Sequence, residues 1–219
     1  MAKQPRKYSR PHSKKLVVVQ TEASIKAMEQ FVNRTMSSLY ALDVILYYIA
    51  DESVADKANQ QVRDLFDSKI EQFDKDISKL KRQVEENAVD MPDYDEAHSS
   101  EYKIYSPLCS VFLKLIRKFE TNTQLIDALW LDGEIPSSVR KTKTTKLARH
   151  LANISRQVVN ASNNAMLIAK DQGKVGEIDS TLKEMEQKNS SELLSEAGQA
   201  VDEANHENTV EAEAETEAA

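Results

Sequence analysis

Glycine is scarce: there are 4 in 219 residues, and only Gly133 precedes residue 173. Tight hairpin turns and phosphate-cradling loops need positive φ, which glycine adopts at least cost. That scarcity excludes most β-rich folds and every glycine-rich phosphate loop. Cysteine occurs once, at Cys109, which excludes an internal disulfide framework and a thiolate metal cluster. Alone, it reads as a small core residue. The longest nonpolar or aromatic run, Val44 to Ala50, has seven residues, against the roughly 18 to 20 that cross a bilayer. No apolar N-terminal run resembles a signal peptide, so a soluble cytoplasmic chain with no membrane partner is expected.

Catalytic patterns are also missing. The four histidines, His12, His98, His150 and His206, form no i, i+4 pair of the kind that holds a metal on a helix. No serine sits in a Gly-x-Ser-x-Gly elbow. The expectation is a chain that is not an enzyme, with no catalytic residue, no metal and no cofactor.

What is present is charge, unevenly spread. The formal net charge of −7 argues at first against nucleic acid. Yet residues 1–15 hold six basic side chains and no acid, and residues 135–170 hold seven and again no acid. Residues 171–219 hold 14 acids and 3 lysines, whereas residues 1–170 hold 26 basic and 22 acidic side chains, a net +4. A basic body and an acidic tail point to function more sharply than the total does.

Along the chain, residues 1–13 read as a basic flexible arm and residues 173–219 as an acidic disordered tail. Leu16-Val17-Val18-Val19-Gln20 has three consecutive β-branched residues and reads as a strand; a lone strand must pair with another segment or another copy. Thr21 is an N-cap with Glu22 in the first turn. Ile25, Met28, Phe31 and Val32 follow at helical spacing. Asn33-Arg34-Thr35 reads as a turn, with Thr35 capping a second helix whose apolar face is Leu39, Leu42, Ile45, Leu46 and Ile49. Phe66, Ile70, Phe73, Ile77, Leu80 and Val84 then form a 4-3 heptad seam on a helix of about residues 55–87. That seam suits internal packing or a partner helix. Residues 88–105, with Pro92, several acids and a Ser pair, read as a loop.

Ser106 caps a helix with Pro107 in its first turn, carrying Leu108, Phe112, Leu115, Ile116, Phe119, Ile126, Leu129 and Trp130. Gly133 ends it as a C′ glycine. Pro136 opens another, where Leu147, Leu151, Ile154, Val158, Ala161, Ala165 and Ile168 continue the 4-3 spacing. Trp130 reads as a buried anchor.

A basic arm, a short strand, a helix, a turn and a second helix over residues 14–51 resemble the ribbon-helix-helix DNA-binding family. That resemblance implies strands from two chains paired as an antiparallel ribbon in the major groove, and a second helix whose first amides hold a phosphate. Carried over, Lys15, Val17 and Val19 face the groove while Leu16 and Val18 face the core. Arg6, Lys7 and Arg10 follow the DNA backbone or enter an adjacent groove, Lys14 is a further DNA contact, and Arg34, Thr35 and Ser37 lie where a phosphate is held. A one-residue slip would exchange the strand's faces.

The element order, with Ser106-Pro107-Leu108 and the segment from Leu125 to Ile135 that contains Asp127-Ala128-Leu129-Trp130, resembles the AcaB family of regulators from conjugative plasmids and integrative elements, over roughly residues 10–170. This resemblance implies a homodimeric, sequence-specific activator of conjugative-transfer genes. The fold class expected is mainly α: a ribbon-helix-helix with one short strand per chain, paired in a dimer, then a helical extension over residues 52–172 built of long antiparallel helices. On the basic helix over residues 137–156, Arg140, Lys141, Lys143, Lys146 and Arg149 are expected either as secondary contacts to double-stranded DNA or as a seat for the acidic tail in the free protein. The rival reading is a non-enzymatic helical assembly protein that uses the seam over residues 62–84.

Overall fold

In the computed structural model, which describes residues 11–46 and 52–169, the expected strand forms as β1 (Ser13–Val19). Expectations on residues 1–10, 47–51 and 170–219, including Arg6, Lys7, Arg10, Ile49 and the tail, lie outside the described residues. The strand's partner is in the same chain. β2 (His98–Ile104) pairs antiparallel with β1, in register from Ser13 opposite Ile104 to Val19 opposite His98. Seven residues of the segment expected as loop are therefore a strand, and the ribbon is closed within one chain rather than between two. Its weak signature has a cause. Of the inward positions His98, Ser100, Tyr102 and Ile104, only the last two carry the apolar bulk that marks a half-buried strand.

The faces of β1 are also the reverse of those expected. Val17 and Val19 are fully buried, whereas Leu16 and Val18 are 56% and 47% exposed. Both faces of Lys14–Gln20 carry an apolar pair, so alternation alone does not choose between them. Tyr102 and Ile104 of β2 turn the odd positions toward the core.

Thr21 caps the first helix as expected, its side chain accepting from the Ser24 amide at 3.3 Å. The helix then does not break. α1 (Glu22–Ala27), a π-helical segment (Met28–Val32), α2 (Asn33–Tyr40) and a second π segment (Ala41–Ile45) follow one another with right-handed helical dihedrals at every junction. The expected turn at Asn33-Arg34-Thr35 is thus helix interior. Thr35 caps nothing; its hydroxyl donates back to the Phe31 carbonyl at 2.7 Å, a mid-helix habit of threonine. With no glycine or proline here, no residue favours leaving the helix. Leu39, Leu42, Ile45 and Leu46 form the buried face expected of them.

Three long helices make up the rest: α3 (Glu52–Glu86), α4 (Pro107–Leu131) and α5 (Ser137–Ala169). Ser106 caps α4 by accepting from the Leu108 amide at 3.2 Å, and Gly133 follows α4 at φ +85°, both as the sequence predicts. The seam on α3 is internal. Phe66, Phe73, Leu80 and Val84 are buried, and the Phe66 ring stacks on Phe112 with centroids 6.1 Å apart.

Helix direction differs from the expectation of antiparallel neighbours. Contacts pair Phe66 with Phe112, Asp74 with Lys118, and Asn87 with Glu134, so α3 and α4 run parallel. The connection through β2 carries the chain back: about 20 extended residues reach up to ~65 Å, whereas a short turn would force an antiparallel pair. α5 does return antiparallel to α4 across a tight corner, where Asp127 meets Arg140 and Trp130 meets Ser137. One continuous core links the ribbon, the first helices and all three long helices.

Candidate nucleic-acid interface

The ribbon's outer face is built from alternate residues of both strands. Lys14, Leu16 and Val18 stand opposite Lys103, Glu101 and Ser99, and all six are exposed. Two lysines directly opposite each other repel. Glu101 relieves this diagonally, its carboxylate 2.8 Å from the Lys14 ammonium, and that hydrogen bond raises the Lys14 pKa. The outer face thus combines two exposed aliphatic side chains with two lysines and one glutamate.

The ribbon is clamped to α4 from its inner side. The Lys15 ammonium, half-buried, donates to the Ser110 hydroxyl. Arg117 donates to the Leu16 carbonyl at 3.0 Å. Glu120, only 6% exposed, receives the Gln20 amide at 2.7 Å, the Thr21 amide at 3.2 Å and the Thr21 hydroxyl at 2.6 Å, with Gln124 donating at 3.1 Å. One carboxylate thereby fixes the strand-to-helix junction. Sequence reasoning passed over Glu120. The available signal was its place on the inward stripe Ile116, Glu120, Thr123, Asp127, at 4-3-4 spacing, where an acid needs partners.

The residues expected at a phosphate are placed differently. Thr35 is buried, its hydroxyl 2.5 Å from that of Ser155 on α5, and Ser37 is buried too. Arg34 is half-buried. Thr35 belongs to the packing between α2 and α5, and neither it nor Ser37 lies at a helix start. Val17 and Val19 lie beneath the ribbon and Lys15 is tied to Ser110, so of the described strand candidates Lys14 alone stands on the outer face.

On α5, Arg140 is held in place. Its Nε donates to Asp127 at 2.6 Å and its guanidinium lies 4.2 Å over the Trp130 ring. Trp130 is half-exposed, so it acts as a platform for Arg140 and not as the buried anchor expected. The Tyr94 hydroxyl donates to the other Asp127 oxygen at 3.1 Å; burial, then the Asp127 charge, raises its pKa. Lys141, Lys146 and Arg149 are exposed and Lys143 half-buried, and none of the four forms an ion pair among the described residues.

Cys109 is buried, donates to the Met36 carbonyl, and has its thiol pKa pushed up to about 12 by burial. That environment opposes a nucleophilic thiolate. Among the described residues no cluster of three His, Cys, Asp or Glu could hold a metal ion, and no helix is long and apolar enough to cross a membrane.

No protein-family model matches the chain, and no curated protein matches it. Among solved structures, it is similar to the crystal structure of selenomethionine-containing AcaB from uropathogenic E. coli, with a TM-score of 0.75 and 27% identity. The match covers 86% of this chain and 98% of that one. The fold is AcaB-like over nearly the whole of that structure.

Proposed function

We propose that this chain is a sequence-specific, double-stranded DNA-binding regulator, an activator of conjugative-transfer genes, acting as a homodimer in the cytoplasm. The observation that carries the reading is the exposed two-stranded ribbon, continuous with an acid-free N-terminal segment. The major groove admits a two-stranded ribbon, and here one chain supplies both strands. Leu16 and Val18 offer methyl groups to thymine methyls, and Lys14 and Lys103 reach guanine edges or phosphates. Arg6, Lys7 and Arg10 follow the backbone. Lys141 and Arg149 on α5 add backbone contacts, while Arg140 serves the α4–α5 corner. Two copies on a palindromic site set two ribbons one helical turn apart, the spacing that two-fold regulators use. The AcaB-like fold supports this assignment.

The test is fluorescence anisotropy with duplex DNA selected by plasmid-wide mapping of bound sites. Combined Arg10→Ala, Lys14→Ala and Lys103→Ala substitutions are expected to weaken binding at least about 30-fold at moderate salt and to flatten the salt slope by about 3, one per lost phosphate contact. Unchanged affinity and slope would overturn the ribbon interface. The rival assembly reading is not favoured, because α4 and α5 cover the seam it needs.

A further inference from the structure

The three long helices flank an open cleft of about 350 Å³ whose lining does not include Lys141 or Arg149. This lies within the roughly 300 to 1,000 Å³ of small-molecule sites. Each helix contributes one aliphatic side chain to the lining: Leu80, Ile126 and Leu147. Lys79 on α3 and Lys143 and Lys146 on α5 supply cations from opposite walls, against one lining acid, Asp76.

Two further observations give the cleft a chemical preference. Asn122, fully buried in its lining, donates to the carbonyls of Lys118 at 3.2 Å and Phe73 at 3.5 Å. Its Oδ1 is buried and has no hydrogen-bond partner among the described residues. A buried amide oxygen left unpaired is costly and accepts any N–H or O–H that arrives. The field is positive as well. The His150 pKa is lowered by burial first, then by Lys146 and Lys69, with Asp76 opposing.

We propose that this cleft binds a small organic anion: an apolar ring system against Leu80, Ile126 and Leu147, an acidic group between the lysines, and an N–H or O–H donor for Asn122 Oδ1. The inference stands apart from the DNA-binding reading. A duplex phosphate brings charge but neither a donor nor apolar surface.

The probe is 8-anilinonaphthalene-1-sulfonate, which combines aromatic rings, a sulfonate and an N–H, titrated into the full folded chain. One saturable site per chain is expected, displaced little by sodium sulfate at matched ionic strength. Lys143→Ala with Lys146→Ala weakens it about tenfold, and Lys79→Ala weakens it in the same direction from the opposite wall. Lys141→Ala with Arg149→Ala removes the same charge outside the cleft and changes binding by less than about twofold. An unchanged melting temperature shows that each variant is folded; should the double variant fail to fold, Lys79→Ala decides alone. Absence of a saturable site, or equal weakening by the two double variants, overturns the proposal. Loss of duplex binding in the Lys143/Lys146 variant with no saturable probe site would assign those lysines to DNA instead.

Discussion

Glu120 carries more of the ribbon's placement than any other single side chain. It takes two backbone amides and a hydroxyl at a junction shielded from water. Glu120→Ala leaves those donors unpaired, and a loss of about 2–4 kcal/mol in urea unfolding is expected. Glu120→Gln keeps one acceptor oxygen and should lose about half as much. A loss under about 0.5 kcal/mol for Glu120→Ala would show that water or another side chain serves the junction. Cys109 gives a second expectation at this scale. Its thiol pKa rises from an ordinary 9.0 to about 12 in the folded chain. The native state therefore holds this proton more tightly than the unfolded state. The resulting stability is fully present below pH 9 and is lost as pH rises from about 9 to about 12. Cys109→Ala should show a shallower alkaline fall in melting temperature than the parent chain. Parallel curves above pH 9 would contradict a buried, protonated thiol.

In the proposed function the ribbon's outer face meets DNA, and its two faces answer differently to substitution. Val18→Asp on the outer face should change stability by no more than about 0.5 kcal/mol, while abolishing duplex binding through the charge it places against phosphate. Val17→Asp, beneath the ribbon, buries an unpaired carboxylate and should cost at least about 3 kcal/mol or prevent folding. Thermal melts of both variants check the face assignment independently of any DNA. If Val18→Asp were the more destabilising, the ribbon would be turned over.

These elements also show what was legible in the sequence. The seam from Phe66 to Val84, the Ser106 cap and the Gly133 stop were readable because each is a local signal: a sustained period, a hydroxyl before proline, a residue free to take positive φ. Strand β1 was legible from three consecutive valines. Its partner was not, because β2 fills half its inward positions with His98 and Ser100. Nor was its facing legible, since Leu16 and Val18 are as apolar as Val17 and Val19. The unbroken helix through Arg34 and Thr35 shows tertiary packing deciding where local signals were weak. Ser155, 120 residues away, pairs its hydroxyl with that of Thr35, the residue expected as a cap.

For the molecule as a whole, charge divides the chain into two parts of opposite sign. Residues 1–170 carry +4 and residues 171–219 carry −11. On the proposed DNA-binding function, a polyanion tethered to this basic body acts as an intramolecular competitor for phosphate, at an effective concentration that an unlinked peptide does not reach at ordinary concentrations. The competition is electrostatic, so it weighs most on non-specific binding, where phosphate neutralisation supplies nearly all the affinity. Removal of residues 171–219 is therefore expected to raise affinity for random-sequence duplex about tenfold at low salt, with the difference shrinking toward physiological ionic strength as screening shortens its reach. Affinity for the selected site should rise less, so the ratio of specific to non-specific binding should fall. Anisotropy titrations of both chains on both duplexes, at two salt concentrations, measure all four constants. Equal or weaker random-sequence binding by the shortened chain would show that the acidic segment does not compete with DNA.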